Sequence, residues 1–211
     1  MTVYDQSEEL KENLPTYLQQ EYEAGGYEVI VVDESSTDST PDVLKLFKNE
    51  YPQLYSTFLP KPDRKRFRRK LAFNIGAKAA KNEWLIITEI RNKPANTDIL
   101  KAINEVLEDY ADITLGYVTK KGIRLQPFSS INEVKDHVTR IERKLTIVRE
   151  GKALNYFWGR YSFIIVKKEK LYDLLNFYEQ KIPHRTLPGM RMKIIWKNML
   201  RRSSTTLLVS S

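Results

Sequence analysis

Hydrophobic and polar positions in the first half of the chain alternate between a strand pattern and a helix pattern. Tyr27–Asp33 is a nearly continuous apolar run rich in β-branched residues, which is typical of a strand buried on both faces of a parallel sheet. Leu10, Leu14 and Leu18 recur at helical spacing and predict an amphipathic helix from Ser7 to about Gln20. The same patterns predict strands at Thr2–Tyr4, at Trp84–Thr88, which is also expected to be buried, and at Asp112–Val118. They also predict three further helices. The first begins with a hydroxyl cap at Thr40-Pro41-Asp42, the second runs through Leu71–Ala80, and the third extends from a cap at Asn96 to about Glu108. This alternation predicts an α/β fold with a doubly wound, mostly parallel sheet and helices on both faces.

The pattern changes after about Lys121. A long helix is predicted over Asn132–Glu150, followed by a strand at Tyr161–Val166, a helix near Glu169–Glu179 and a basic tail. We therefore expect one compact domain with two parts: an α/β half, residues 1–120, and a shortened half, residues 121–211, which ends in a helical and basic extension.

Three polar clusters follow the predicted strands. They are Tyr4-Asp5, Asp33–Asp38 and Thr88–Arg91. Open α/β sheets bind ligands outside the carboxyl ends of their strands, so these positions predict a binding site at that edge. Helix capping or turn formation explains any single cluster, but the presence of three such clusters at strand ends favours a ligand-binding site.

The net charge of +8 is concentrated in two basic segments. Six of the seven residues in Arg64–Lys70 are Lys or Arg, and Lys181–Ser211 contains seven Lys or Arg and no acidic residue. Such segments bind phosphates, anionic lipid headgroups or nucleic acid, and a solvated loop that maintains solubility is the simpler alternative. Nucleic acid is not expected, because Phe67 is the only aromatic residue within Arg64–Lys70.

Composition limits the chemistry and the compartment. The chain has no cysteine, which excludes a disulfide framework, a thiolate metal site and a cysteine nucleophile, and which fits a reducing compartment. No apolar run approaches the roughly 18 residues of a membrane span, and the polar start of the chain predicts no signal peptide. We expect a cytoplasmic protein that can lie on the cytoplasmic face of an anionic membrane through its basic segments.

Three segments resemble those of family-2 glycosyltransferases. Val31–Thr40, VVDESSTDST, is similar to the family's VVDDSSTDGT segment, and Phe73–Ile86 is similar to its N.G...A.GE.I helix and strand. Asn155–Arg160 resembles, more weakly, the Y.GVGRN segment of a subgroup common in membrane-associated bacterial members. The resemblance covers roughly residues 2–166 and implies a Rossmann-like fold of the GT-A type.

The resemblance also implies a site for a nucleoside diphosphate sugar of the UDP type. It places Asp33 and Glu34 against the nucleoside, and Tyr4, at the end of the first predicted strand, is a further candidate for binding the nucleotide sugar. It aligns Arg68 with the family's arginine that contacts the base or the phosphates, and we expect Arg68 to bind the diphosphate. Arg91 has no counterpart in the family pattern, and the charge of its guanidinium makes it a second candidate for the diphosphate. The implied reaction transfers the sugar, with inversion, to a hydroxyl of a saccharide or lipid-linked acceptor in bacterial cell-surface glycan synthesis.

The chain departs from the family pattern in two respects. The family carries a DxD-type carboxylate pair where this chain has Glu89-Ile90-Arg91. Either Glu89 binds a divalent Mg or Mn ion weakly, or Arg91 neutralises the diphosphate itself. The acidic motif that supplies the catalytic base is also missing, which leaves His184 as a weak candidate. The alternative hypothesis is therefore a catalytically inactive member that binds a nucleotide sugar or a partner protein.

Overall fold

The computed structural model of the chain describes residues 1–22, 26–60, 68–94, 96–107, 111–119, 122–137 and 163–181. At the ends of some elements, including Arg68 and Arg69, only the backbone is described. The chain divides into two compact units, Met1–Val106 and Leu107–Ser211. Every predicted site residue that the structure describes belongs to the first unit.

A parallel three-stranded sheet organises the first unit. Its central strand, β2 (Val29–Asp33), pairs in parallel with β1 (Thr2–Val3) and with β3 (Leu54–Phe58). The other elements of the unit are α1 (Ser7–Leu18), α2 (Thr40–Glu50), α3 (Arg68–Ala79), β4 (Trp84–Thr88) and α4 (Ile99–Val106). The alternating elements and the parallel pairing confirm the α/β prediction.

Helices cover both faces of this sheet. Val31 of β2 packs in one buried cluster with Leu10 of α1 and Val43 of α2. The next residue, Val32, packs in a different cluster with Ala72 of α3. Because successive side chains of a strand point to opposite faces, α1 and α2 lie on one face of the sheet and α3 lies on the other. The doubly wound arrangement is therefore confirmed.

Several elements differ in detail from their predictions. β3 is not evident from the sequence, because this edge strand has no continuous apolar run and exposes Phe58. β4 is only partly buried, with Ile86 37% exposed, and it is not a strand of the three-stranded sheet that contains the buried run of β2. The hydroxyl of Thr40 does not cap α2, because Thr40 is the first residue of the helix and the cap position is Ser39, whose side chain forms no capping hydrogen bond. α4 begins at Ile99, later than a cap at Asn96 predicts.

The second unit is built on antiparallel pairing, which the sequence patterns do not reveal. Its central strand, β5 (Ile113–Thr119), pairs with β6 (Gly122–Phe128) and with β7 (Phe163–Lys167). A Cβ on Gly116 would lie 2.2 Å from the ring of its cross-strand partner Phe163, so only glycine admits that ring. β7 confirms the strand predicted there, whereas β6 is not predicted.

Helices complete the described part of the second unit. Residues 131–137 are helical, and the remainder of the helix predicted over Asn132–Glu150 lies outside the described residues. After a 3-10 turn at Lys168–Lys170, α5 (Leu171–Lys181) confirms the helix predicted near Glu169–Glu179. Among all the described residues, no helix combines the length and the apolar character needed to cross a membrane.

Candidate functional site

The carboxyl ends of β1 and β2 lie side by side. Val3 at the end of β1 is in register with Asp33 at the end of β2. The backbone N–H of Glu34 donates to the carbonyl oxygen of Val3 at 2.8 Å, which extends this pairing into the loop. Two of the three polar clusters predicted from the sequence therefore meet at one edge of the sheet.

Hydrogen bonds join the loop after β1 to the loop after β2. Oδ1 of Asp5 accepts from the backbone N–H of Thr37 at 2.7 Å, and the backbone N–H of Asp5 donates to Oγ of Ser36 at 2.9 Å. Asp5 and Ser35 have φ values of 48° and 66°, a left-handed conformation that is costly for residues other than glycine. The bonds between the loops offset that cost and fix the shape of the edge.

Asp38 links the N-termini of α1 and α2. Its Oδ2 accepts from the backbone N–H of Ser7 at 3.1 Å, and its Oδ1 accepts from the backbone N–H of Thr40 at 2.9 Å. Desolvation alone would raise the pKa of the Asp38 carboxyl, but the hydrogen bonds from Thr40 and Ser7 outweigh it and lower the pKa to about 2. The carboxylate thus stays ionised where both helices present partial positive charge.

Three side chains at this edge keep capacity to bind a ligand. Asp33 is buried, with 3% exposed, and its Oδ1 accepts from the backbone N–H and the Oγ of Ser36 at 2.9 and 2.6 Å. Within the described ranges, no protein donor reaches Oδ2 of Asp33. The side chains of half-buried Glu34 and of Tyr4, which is 40% exposed, form no hydrogen bond with another described residue. The carboxylate oxygens of Asp33 and Glu34 and the hydroxyl of Tyr4 can therefore bond to a ligand without competition from another described residue.

The third polar cluster forms a turn after β4 that α1 holds in place. The Tyr17 hydroxyl donates to the carbonyl oxygens of Glu89, at 3.1 Å, and of Asn92. The backbone N–H of Asn92 donates to the carbonyl oxygen of Glu89 at 2.9 Å, and Ile90 is fully buried in the core. Burial raises the pKa of the Tyr17 hydroxyl above its ordinary value, so the hydroxyl remains a neutral donor.

Glu89 and Arg91 form an ion pair on this turn. Oε2 of Glu89 lies 3.4 Å from Nε of Arg91, and the two side chains are 11% and 27% exposed. A divalent cation on Glu89 would have to compete with the guanidinium and would be repelled by it. No group of three or more His, Asp or Glu residues that could hold a metal ion occurs among the residues described. The turn does not fit the divalent ion that a DxD-type pair implies.

The other predicted site residues are only partly placed. Arg68 is the first residue of α3, and its side chain lies outside the described part of the structure, as do His184, residues 64–67 of the basic segment and most of the basic tail. Their roles stay predictions.

Two residues that position the site, Asp38 and Tyr17, were not assigned that role from the sequence. Asp38 precedes the helix start at Thr40-Pro41, and an acid at that position is a recognisable capping signal. Tyr17 gives no such signal, because its partner Glu89 is 72 residues away in the sequence.

Comparisons with known protein sequences agree with the sequence motifs. A model of the family described as "Glycosyl transferase family 2" matches residues 1–199. A poly(ribitol-phosphate) beta-glucosyltransferase of Bacillus spizizenii is 26% identical over 147 residues, which are 68% of this chain and 22% of that protein. The chain therefore spans about a fifth of the length of this curated relative.

Two solved structures have a similar fold. The mannosyltransferase PcManGT of Pyrobaculum calidifontis, in complex with GDP-Man and Mn²⁺, matches with a TM-score of 0.53 at 19% identity, over 82% of this chain and 44% of that one. S. aureus TarS matches with a TM-score of 0.51 at 16% identity, over 94% of this chain and 53% of that one. These likenesses confirm the GT-A-type fold, and the chain spans about half the length of each structure.

Proposed function

This chain belongs to glycosyl transferase family 2, and we propose that it binds the nucleoside diphosphate sugar for an inverting transfer to an acceptor hydroxyl. The observation that carries the proposal is the joined pair of loops after β1 and β2. These loops hold Asp33, Glu34 and Tyr4 at the edge of the sheet where α/β proteins bind their ligands.

The three side chains suit the parts of a nucleoside. The carboxylates of Asp33 and Glu34 can accept hydrogen bonds from a base N–H and from the ribose hydroxyls, and such charge-assisted bonds are the stronger kind. The exposed ring of Tyr4 offers an apolar face on which a base can stack. A nucleoside, rather than a sugar alone, uses all three.

We assign the diphosphate to Arg68 and Arg91. Guanidinium groups match phosphate oxygens with two parallel hydrogen bonds, and they stay charged at any physiological pH. Arg68 begins α3, and Arg91 lies on the turn after β4. The two arginines therefore come from different elements of the same unit.

The proposed reaction is a direct displacement. The acceptor hydroxyl attacks the anomeric carbon, the bond from that carbon to the diphosphate breaks, and a base takes the hydroxyl proton. His184 remains our candidate for that base. The curated relative is named a poly(ribitol-phosphate) glucosyltransferase, which supports a hydroxyl-bearing polymer of bacterial cell-surface glycan synthesis as the acceptor, either saccharide or lipid-linked.

Calorimetric titration of the 211-residue chain tests donor binding. We expect UDP or GDP to bind at one site, and the corresponding monophosphate, the matched control, to bind more weakly because it lacks one phosphate. No binding of any nucleoside diphosphate or sugar nucleotide would contradict the proposal. Binding of a sugar nucleotide without transfer or hydrolysis would identify the chain as the catalytically inactive alternative.

We also propose that the basic segments attach the protein to an anionic membrane on its cytoplasmic face. The proposal rests on the charge of Arg64–Lys70 and Lys181–Ser211, which anionic headgroups attract.

A further inference from the structure

The ion pair between Glu89 and Arg91 has the same net charge as a loaded metal site. Two carboxylates and one divalent cation are neutral together, and so are one carboxylate and one guanidinium. We infer that Arg91 takes the place of the divalent cation, so that this chain binds the diphosphate of its donor without a metal ion. The inference rests on the donor binding proposed above and concerns how the same site neutralises phosphate.

The position of Arg91 is fixed before any ligand arrives. Ile90 is fully buried beside it, and the Tyr17 hydroxyl of α1 holds the backbone of the turn on both sides, at Glu89 and Asn92. Oε2 of Glu89 lies 3.4 Å from Nε of Arg91 and attracts the guanidinium by charge, without a hydrogen bond between the two atoms. A cation that is already in place stabilises a phosphate without reorganisation when the ligand binds.

Arg91 keeps hydrogen-bond donors after it pairs with Glu89. A guanidinium has five N–H groups, and its contact with the carboxylate at Nε is an ion pair in which no hydrogen bond forms. The other four are on the two terminal nitrogens, and the side chain is 27% exposed. Two of those N–H groups can donate in parallel to diphosphate oxygens, which a single ammonium cannot reproduce.

A metal at the same place would meet two obstacles. Glu89 is the only carboxylate of the Glu89-Ile90-Arg91 motif, whereas the DxD-type pattern supplies two. The guanidinium beside Glu89 would repel a divalent ion in a partly buried setting, where solvent screens charge poorly. A carboxylate in place of Arg91 removes both obstacles at once.

Nucleotide titrations of the 211-residue chain in EDTA and in Mn²⁺ test the inference. We expect the wild-type affinity for UDP or GDP, whichever binds more tightly, to differ by less than about threefold between the two conditions. Arg91→Ala should weaken binding in EDTA about tenfold or more, as expected for lost charge-assisted bonds. Arg91→Asp should bind more tightly in Mn²⁺ than in EDTA. Lys93→Asp, which makes the same charge change at an exposed position two residues on, is the matched control and should show neither effect.

Titration of Mn²⁺ alone, followed by the electron paramagnetic resonance of the free ion, needs no nucleotide. Wild-type protein should leave the signal of the free ion unchanged, and Arg91→Asp should reduce it, with the fold of each variant checked by circular dichroism. Wild-type nucleotide binding that requires Mn²⁺ would overturn the inference and leave donor binding intact. Unchanged affinity of Arg91→Ala would also overturn it. Failure to bind any nucleotide in either condition would overturn both proposals.

Discussion

The carboxylate of Asp38 accepts a hydrogen bond from the backbone N–H of Ser7, 31 residues earlier in the chain, at 3.1 Å. Its second oxygen accepts from the backbone N–H of Thr40 at 2.9 Å. Since Ser7 and Thr40 are the first residues of α1 and α2, one side chain fixes the start of both helices. Asp38 therefore positions both loops of the proposed nucleoside site without being part of it.

Replacement of Asp38 should destabilise the protein. We expect Asp38→Ala to lower the free energy of unfolding by about 1–2 kcal/mol, the usual cost of losing a helix-capping side chain. Urea denaturation followed by circular dichroism measures the change. Asp42→Ala removes an exposed acid from the first turn of α2 and should cost about 0.5 kcal/mol or less. Equal losses for the two variants would show that general charge at the helix start, not the bridge to Ser7, is responsible.

The same carboxylate should make stability depend on acid pH. The pKa of Asp38 is lowered from 3.8 to about 2 in the folded protein, so its contribution is complete above pH 3.8 and is lost as the pH falls towards 2. The side chain is exposed, so solvent screening makes the effect smaller than the shift alone implies. Urea midpoints of wild type and Asp38→Asn should therefore converge across that range, and a constant difference would contradict this account.

Asp33 should bind the nucleoside directly. Asp33→Ala is expected to weaken binding of the nucleoside diphosphate by about 1.5–3 kcal/mol, the scale of a hydrogen bond to a charged group. Calorimetry measures it, with circular dichroism to confirm the fold. Ser36→Ala is the control, because it removes both bonds of the Ser36 Oγ, to Oδ1 of Asp33 and from the backbone N–H of Asp5, and leaves the Asp33 carboxylate in place. If Ser36→Ala weakens binding as much as Asp33→Ala, the carboxylate acts by ordering the loop and not by contact.

The sequence predicts the first unit well because its signals are local. Leu10, Leu14 and Leu18 place the apolar face of α1, and the buried run of β2 predicts a strand covered on both sides. β3 escapes prediction, because Leu54 is the only buried residue of this strand and its sequence shows no long apolar run. Pairing partners depend on contacts distant in sequence, so the antiparallel strands of the second unit are not predicted either.

The candidate site also has a part that the sequence predicts and a part that it does not. The acidic segment after β2 and its place at the sheet edge follow from the strand pattern and the motif. The ion pair between Arg91 and Glu89 cannot be predicted from the sequence, because the direction of the Arg91 side chain depends on the path of the turn. That path is set by Tyr17 in α1, which no local rule connects to the turn.

Tyr17 should therefore control both stability and the turn. Tyr17→Phe removes the donor to the carbonyl oxygens of Glu89 and Asn92, and we expect a loss of about 1–3 kcal/mol in the free energy of unfolding, because two hydrogen bonds of a buried hydroxyl are lost. Urea denaturation measures the loss. Tyr55→Phe removes an exposed hydroxyl that bonds to no described residue and should be nearly neutral. If this turn positions Arg91 for the diphosphate, Tyr17→Phe should also weaken binding of the nucleoside diphosphate in EDTA. Unchanged affinity would show that the turn does not contribute to the binding site.

Membrane attachment through the basic segments should be electrostatic and therefore sensitive to salt. Sedimentation with vesicles should increase with the fraction of anionic lipid, at about 1 kcal/mol per basic residue near the surface. It should fall steeply as salt shortens the screening length to about 10 Å at 0.1 M. Substitution of Arg64, Lys65 and Arg66 by Gln should weaken it.

The matched control for membrane attachment substitutes Gln for three exposed lysines outside the basic segments, Lys45, Lys81 and Lys101. This triple variant loses the same net charge but leaves the density of charge in Arg64–Lys70 unchanged. A surface field depends on how closely charges are grouped, because separated charges are screened from one another by salt. The control should therefore sediment with anionic vesicles nearly as well as wild type. Equal losses in both triple variants would mean that total charge alone drives association, and binding that does not respond to salt would leave solubility as the role of the basic segments.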